Sequence, residues 1–393
     1  MSAAPRYPTA GVFRREAPSV TAPVYIFAGG GTGGHLFPGL ATAAAVRAIR
    51  PNARIVFLTT SRPIDRELLS RTNYEQIPQN VRPWPARLRD IPGFYIAWRS
   101  SLKAAREVVR SVRPAAVLGL GGYAAGPAVV AAARLGVRTA ILNPDAVPGR
   151  ANRRLAAYAD RVIVQWDESA AHFRQKSKIL PLGCPIRAEF AAVADRMADE
   201  KAVSEARRRF GLELDRRTVL ITGASQGART INDAILWAWA RFTESAAGWQ
   251  ALHLTGTADH ERIAAEWGRL GALGRVLAFT HDMPDAMLAA DIVVSRAGAS
   301  TLAELTAVRR PSILMPYPYH ADQHQMRNAE VLACRGAARI VEDTRDVEKN
   351  GPALLSTLKE LANDGVRSSM AAASSAISRS RAAGSVAAWM TGA

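Results

Sequence analysis

Three times along this chain a short apolar, β-prone run ends in a glycine-rich turn and gives way to a helical pattern. The runs are Val24 to Ala28 before Gly29-Gly30-Gly31, Thr218 to Thr222 before Gly223 and Gly227, and Asp291 to Ser295 before Gly298. A strand that turns sharply into a helix calls for glycine, and strands alternating with helices close into a mainly parallel sheet covered on both faces. Arg54 to Leu58, Val117 to Leu120, Thr139 to Leu142 and Arg161 to Gln165 extend the first series, and Trp249 to Thr255, Arg275 to Phe279 and Ser312 to Pro316 the second. Between the two series, from about Glu189 to Arg217, lies a charged stretch without strand character that suits a helix and an interdomain linker, so the pattern restarts rather than continues.

This predicts an α/β protein of two Rossmann-like doubly wound domains facing a cleft, and 393 residues suffice for two cores. The expected boundaries are a disordered extension over 1–22, an acceptor- and membrane-facing domain over 23–188, a linker over 189–216, a second domain over 217–365, and a terminal helix over 366–393 packing back on the first domain. Pro114 to Ala133 is uncharged and as long as a membrane span, but it holds Gly119, Gly121, Gly122 and Gly126, which suits a buried strand, a turn and a helix start. Only Cys184 and Cys334 occur, which excludes a disulfide framework and a four-thiolate zinc site and suits a reducing, cytoplasmic setting. Lys plus Arg is 51 against 34 Asp plus Glu, a formal charge of +17 that points to an anionic partner. The surplus is dispersed arginine with no recognition module, so nucleic acid is not expected.

Chemistry concentrates at the glycine turns. His35 stands at the mouth of the first, placed to act as a base or to bond a diphosphate. The second lacks the Lys-Ser/Thr ending of a P-loop and the dinucleotide spacing; Ser225 there can bond a phosphate or cap the helix. Glu304, in the first turn of the helix after Gly298, is either a dipole partner or a clamp for vicinal ribose hydroxyls. Asp322 to Asn328 crowds hydrogen-bonding groups at another helix start.

The motifs also form an ordered set: G-G-T-G-G-H at Gly30 to His35, G-G-Y-x-x-G-P at Gly121 to Pro127, A-V-P-G-x-x-N-R at Ala146 to Arg153 and G-x-P-I-R at Gly183 to Arg187, then G-x-S-Q-G-A at Gly223 to Ala228, S-R-x-G-A-x-T-x-x-E at Ser295 to Glu304 and D-x-x-Q-x-x-N-A at Asp322 to Ala329. Over about Tyr25 to Glu342 this resembles the MurG family, the peptidoglycan N-acetylglucosaminyltransferases that convert lipid I to lipid II. The resemblance implies a GT-B architecture and an inverting transfer without metal or other cofactor, the second domain holding UDP-N-acetylglucosamine and the first the lipid acceptor. It implies Arg187, Ser225, Thr280, Ala299, Ser300, Thr301, Leu302, Ala303, Glu304, His324 and Gln325 at the donor, Thr32, Gly33 and Gly34 facing it, and His35 as the catalytic base. Tyr123, Asn143, Asp145 and Asn152 are further candidates for contacts with acceptor or sugar. It also implies a peripheral location on the cytoplasmic face of the plasma membrane.

One segment departs from the family. Leu142-Asn143-Pro144-Asp145 stands where H-E-Q-N is usual, so Asn143 and Asp145 are expected to reach the cleft and replace the missing hydrogen bonds, although Asp145 before Pro148-Gly149 also suits plain turn chemistry. The departure leaves room for a related transferase with another lipid acceptor, or for a UDP-sugar-binding membrane-associated protein with reduced catalysis. A UDP-N-acetylglucosamine 2-epimerase would want acidic residues at the glycine turns. Finally, Arg82, Arg87, Arg89, Arg99, Lys103, Arg106, Arg110 and Arg113 interleave with Trp84, Ile91, Phe94, Tyr95, Ile96 and Trp98, a mixture that suits an anionic bilayer surface or a helix with buried aromatics under a basic face.

Overall fold

In the computed structural model, which describes residues 22–85, 87–223, 227–319 and 322–393, the two series of strands build two separate parallel sheets. Nearly all of the N-terminal extension, and Ser225, lie outside the described residues. The first sheet comprises β1 (Val24–Ala28), β2 (Arg54–Thr59), β3 (Glu75–Pro78), β4 (Ala116–Gly119), β5 (Arg138–Asn143), β6 (Arg161–Val164) and β7 (Ile179–Leu180), in the order β3-β2-β1-β4-β5-β6-β7. The second comprises β8 (Arg217–Thr222), β9 (Trp249–Leu254), β10 (Gly274–Leu277), β11 (Ile292–Ser295), β12 (Ser312–Leu314) and β13 (Ala338–Ile340), in the order β10-β9-β8-β11-β12-β13.

The central strands read as continuously apolar because both faces are covered. Tyr25 and Phe27 enter one buried cluster while Ile26 and Ala28 enter the other, and Val219 and Ile221 part from Leu220 in the same way. The strands the sequence does not announce, β3, β7 and β13, are short and lie toward the sheet rims. With Glu75-Gln76-Ile77-Pro78, β3 offers one aliphatic residue and a proline that an edge tolerates.

Two expectations need correction. The stretch expected as a linker forms two helices, Ala188–Arg196 and Glu200–Arg209, whose Phe190, Val193, Ala202 and Ala206 are buried with Leu220 and Val293 in a core of the second domain. Helical spacing of those apolar positions, hidden among charges, makes the segment part of that domain. The single terminal helix is two, Asp364–Ile377 and Ala382–Thr391, divided where Ser378 is extended (φ −67°, ψ 137°). Met370 joins a core of the second domain, while Val386, Ala387 and Met390 join Phe27, Leu36 and Leu118 of the first.

The chain therefore passes between the domains twice, at residues 181–187 and 378–381, and the two passages touch. Gly183 has φ +96°, and a Cβ there would fall 2.6 Å from the Arg379 Cβ and 3.0 Å from the Ala382 Cβ. Beside this contact Arg379 pairs with Asp167 at 3.0 Å.

Candidate active site

In each sheet the strand order changes direction at one point, between β1 and β4 and between β8 and β11. Connections leave in opposite senses there, which opens a crevice at the carboxyl ends of the strands. All the glycine-rich motifs emerge at these two places.

On the first-domain side, Gly29, Gly30 and Gly31 have φ of 149°, 156° and 88°, conformations that strain any side chain. The turn is filled by Asp65, a buried residue of the helix Pro63–Ser70, whose carboxylate accepts from the Gly31 amide at 2.7 and 2.9 Å. Helix Gly33–Ile49 starts immediately afterwards, with Thr32 Oγ1 lying 3.0 Å from His35 Nδ1. The imidazole lies against Gly121 and Gly122, where a Cβ would stand 3.4 Å from ring atoms. The two glycines of G-G-Y are thus a floor for His35. Burial lowers its pKa below the ordinary value, while the charges of Asp145 and Asp65 pull the other way. The ring is held neutral near pH 7, the state a proton acceptor needs.

On the second-domain side, helix Ala299–Ala307 begins after Gly298, and Ser300 Oγ donates to the Gly34 carbonyl at 3.3 Å, across the cleft. His35 therefore stands next to a helix N-terminus of the opposite domain. One turn along that helix, burial pushes the Glu304 carboxyl up to about 7 against the pull of Arg187. The Arg187 guanidinium lies over Phe190 at 5.0 Å and Phe37 at 5.7 Å, so it too bridges the domains. Gln325 Oε1 accepts from the Ala297 amide at 3.2 Å and the Tyr317 amide at 3.0 Å, which aims the remaining NH2 as a donor. His324 Nε2 lies 2.8 Å from Asp322 Oδ2. Thr280 is at the rim beyond β10, its hydroxyl accepting from the Asp282 amide at 3.0 Å. Tyr123 opens the short turn Tyr123–Ala125 beside the His35 floor.

The segment Leu142 to Asp145 behaves differently from the expectation. Asn143 is fully buried; its Nδ2 donates to the Asp145 carbonyl at 2.8 Å and its Oδ1 accepts from Asn152 Nδ2 at 3.1 Å. Asn152 also donates to the Leu142 carbonyl at 3.0 Å. These two asparagines hold the turn together. Asp145 crosses to the second domain: Asn328 Nδ2 donates to Asp145 Oδ1 at 2.9 Å, and Asn328 Oδ1 accepts from the Ala146 amide at 2.8 Å. Pro144 explains the path, since it favours an extended Asn143 and lets the chain leave β5 toward the other domain.

Sequence reasoning missed three residues with clear work here. Asp65 carries only the signal of an acid in a first helical turn, and Asn328 is a motif letter without a role. Arg296, also a motif letter, is buried, pairs with Asp343 at 2.8 Å and donates to the Met315 carbonyl at 2.9 Å, fixing the segment that leads to Gln325.

Residues 25–164 match the glycosyltransferase family 28 N-terminal domain and residues 218–385 the family 28 C-terminal domain. A UDP-N-acetylglucosamine–N-acetylmuramyl-(pentapeptide) pyrophosphoryl-undecaprenol N-acetylglucosamine transferase of Desulforudis audaxviator is 36% identical over 374 residues, covering 92% of this chain and 96% of the relative. One of the same name from Thermodesulfovibrio yellowstonii is 36% identical over 339 residues, covering 86% and 89%. The crystal structure of Acinetobacter baumannii MurG superposes with a TM-score of 0.74 at 25% identity over 94% of this chain and 100% of that one. A UDP-GlcNAc 2-epimerase from Neisseria meningitidis reaches 0.57 at 12% identity over 91% and 98%, a likeness of fold alone.

Asn328 supplies both bonds of the clip to the first domain. Asn328→Ala should lower stability by about 1–3 kcal/mol, because it leaves the Ala146 amide without its acceptor, and Asp145→Ala should cost less, because that amide keeps its partner. Urea unfolding ranks the two variants; negligible losses in both would show that the clip contributes nothing, and equal losses would contradict the greater part given to the Ala146 amide.

Proposed function

The chain belongs to glycosyltransferase family 28, and within it to the UDP-N-acetylglucosamine–N-acetylmuramyl-(pentapeptide) pyrophosphoryl-undecaprenol N-acetylglucosamine transferases, and from that premise we propose how its cleft performs the reaction. The enzyme moves N-acetylglucosamine from UDP-N-acetylglucosamine to lipid I, forming lipid II for peptidoglycan. The acceptor hydroxyl attacks the anomeric carbon, the bond to the UDP oxygen breaks on the opposite face, and the configuration inverts. His35 takes the hydroxyl proton. The Ala299, Ser300 and Thr301 amides at a helix N-terminus, with Arg187, stabilise the departing diphosphate, an arrangement in which charge develops where fixed donors already point.

Glu304 accepts the ribose hydroxyls, Gln325 donates through its free NH2 to the sugar with His324 beside it, and Thr280 meets the uracil through its backbone. Leu302 and Ala303 line the helix between. Ser225 belongs to the diphosphate set on the strength of its motif. Thr32, Gly33 and Gly34 face the donor from the first domain, with Tyr123 toward the acceptor. The observation that carries this reading is the Ser300 to Gly34 hydrogen bond, which sets His35 opposite the helix end that would hold the leaving group. The epimerase alternative rests on fold alone, and the acidic residue near the first glycine turn, Asp65, is buried beneath it.

Among the described residues no helix is long and apolar enough to cross a membrane. We propose instead a peripheral contact with the anionic cytoplasmic surface. The helix Ile91–Val112 and the segment before it divide their aromatics: Phe94 and Trp98 stack together, and Trp98 packs against Gly126, whereas Leu88 (85%), Ile96 (71%) and Tyr95 (61%) are exposed among Arg87, Arg89 and Arg99. Exposed apolar side chains ringed by arginine suit insertion at a headgroup layer.

UDP release from UDP-N-acetylglucosamine should require a lipid I analogue, and His35→Ala should lower that rate by roughly 100-fold or more with donor affinity nearly intact; a loss confined to affinity would make His35 a binding residue. Ribose hydroxyls favour the charged Glu304 carboxylate, so donor affinity should weaken as pH falls from 8 to 6, by at most about tenfold per unit, with Glu304→Gln flattening the slope. Calorimetry with UDP-N-acetylglucosamine, whose diphosphate does not titrate there, decides it. Sedimentation with vesicles should show binding that needs anionic lipid, falls with salt and weakens in Leu88→Ser/Ile96→Ser; salt-insensitive binding would contradict the proposal.

A further inference from the structure

The Asp65 carboxylate occupies a position that ligands occupy in many proteins of this architecture. A glycine turn at the end of a first parallel strand offers backbone amides to an anion, usually a phosphate of the bound nucleotide. Here the anion is internal. Asp65 accepts from the Gly31 amide with both oxygens, from the Thr60 amide at 3.0 Å, and from the Thr60 hydroxyl. A Cβ on Gly30 would fall 2.4 Å from Asp65 Oδ2, so the turn is shaped around the carboxylate. From the other side, Arg62 Nη1 donates to the Gly31 carbonyl at 3.0 Å. Gly31 is therefore held through both its amide and its carbonyl, by two residues at the start of the helix Pro63–Ser70.

The next residue along the chain is Thr32, whose hydroxyl lies 3.0 Å from His35 Nδ1, and three positions later comes His35 on its glycine floor. The reacting side chain is thus four residues from a backbone unit fixed by a buried charge. We infer that Asp65 is a positioning residue for the transfer, setting the turn that places His35 and facing its imidazole with a fixed negative charge. This rests on the role proposed for His35. Asp65 is fully buried and works through Gly31. The groups that act electrostatically on the His35 ring are Asp145 and Asp65, both stabilising its protonated form.

The test is a cycle of Asp65→Asn and His35→Ala, with kcat, the pH profile of kcat and UDP affinity measured for each protein. Asp65→Asn turns a carboxylate oxygen into a donor that, in either orientation of the amide, confronts the Gly31 N–H, so the turn must shift. A displacement of that order near a reacting atom lowers rates by roughly 10- to 100-fold. The expected result is a fall of that size in kcat, UDP affinity unchanged within about twofold, and an acidic limb moved to lower pH, because losing the Asp65 charge makes the imidazole a weaker base. In the His35→Ala background Asp65→Asn should add nothing. Unchanged kcat and pH profile would overturn the inference. So would a loss of UDP affinity parallel to kcat, or an undiminished effect without His35, either of which reduces Asp65 to fold support. Should Asp65→Asn fail to fold, Thr60→Ala removes one donor and keeps the charge; a fall in kcat that persists in His35→Ala would overturn the inference equally. A His35→Ala enzyme with wild-type turnover would remove the functional reading first, which separates the two failures.

Discussion

Catalysis across a cleft depends on two sheets keeping a set distance, and in this protein a few polar contacts fix it. The Asn328 amide grips both the Asp145 carboxylate and the Ala146 amide, and Ser300 reaches the carbonyl next to His35. Each is modest in energy, yet each joins the two domains near the carboxyl ends of their strands, where a small change in separation moves the helix Ala299–Ala307 relative to His35. Asn328 lies on the helix His324–Ala333 that begins with the two residues proposed for the sugar. The helix proposed to meet the donor sugar is thus the one tied to the first domain.

The two-domain parallel architecture was legible because central strands buried on both faces read as unbroken apolar runs, and because turns at positive φ demand glycine. Three of the four edge strands escaped for the converse reason: Glu75–Pro78 and Ile179–Leu180, for example, are stabilised by neighbours the local sequence does not name. Helix was legible in the charged, strandless run at 189–216, but a surface charge density says nothing about the inner face that joins these helices to the second domain. The site divides in the same way. The places of His35 at a turn and Glu304 in the first turns of a helix could be read from the sequence, because backbone chemistry fixes them. Asp65 could not, because its partner Gly31 is 34 residues away and an acid in a first helical turn has an ordinary explanation.

The segment Leu142 to Asp145 shows how polar side chains at the end of a strand can be taken up in holding the protein together. Asn143 fills its own turn, and only Asp145 projects beyond it, toward another protein group. Polar residues in a cleft-facing loop compete between satisfying their neighbours and waiting for a ligand, and burial decides in favour of the neighbours.

The two chain passages that touch at Gly183 set the mechanics of the whole molecule. A single covalent connection would let one domain swivel freely about the other; two laid against each other behave like the pin of a door, leaving rotation about one line as the easy motion. Gly183 is where the pin is thinnest, since any side chain would wedge Arg379 and Ala382 apart. A rotation about that line would change the width of the mouth and the spacing of His35 from the opposite helix together, and it would first have to break the Asn328 and Ser300 contacts.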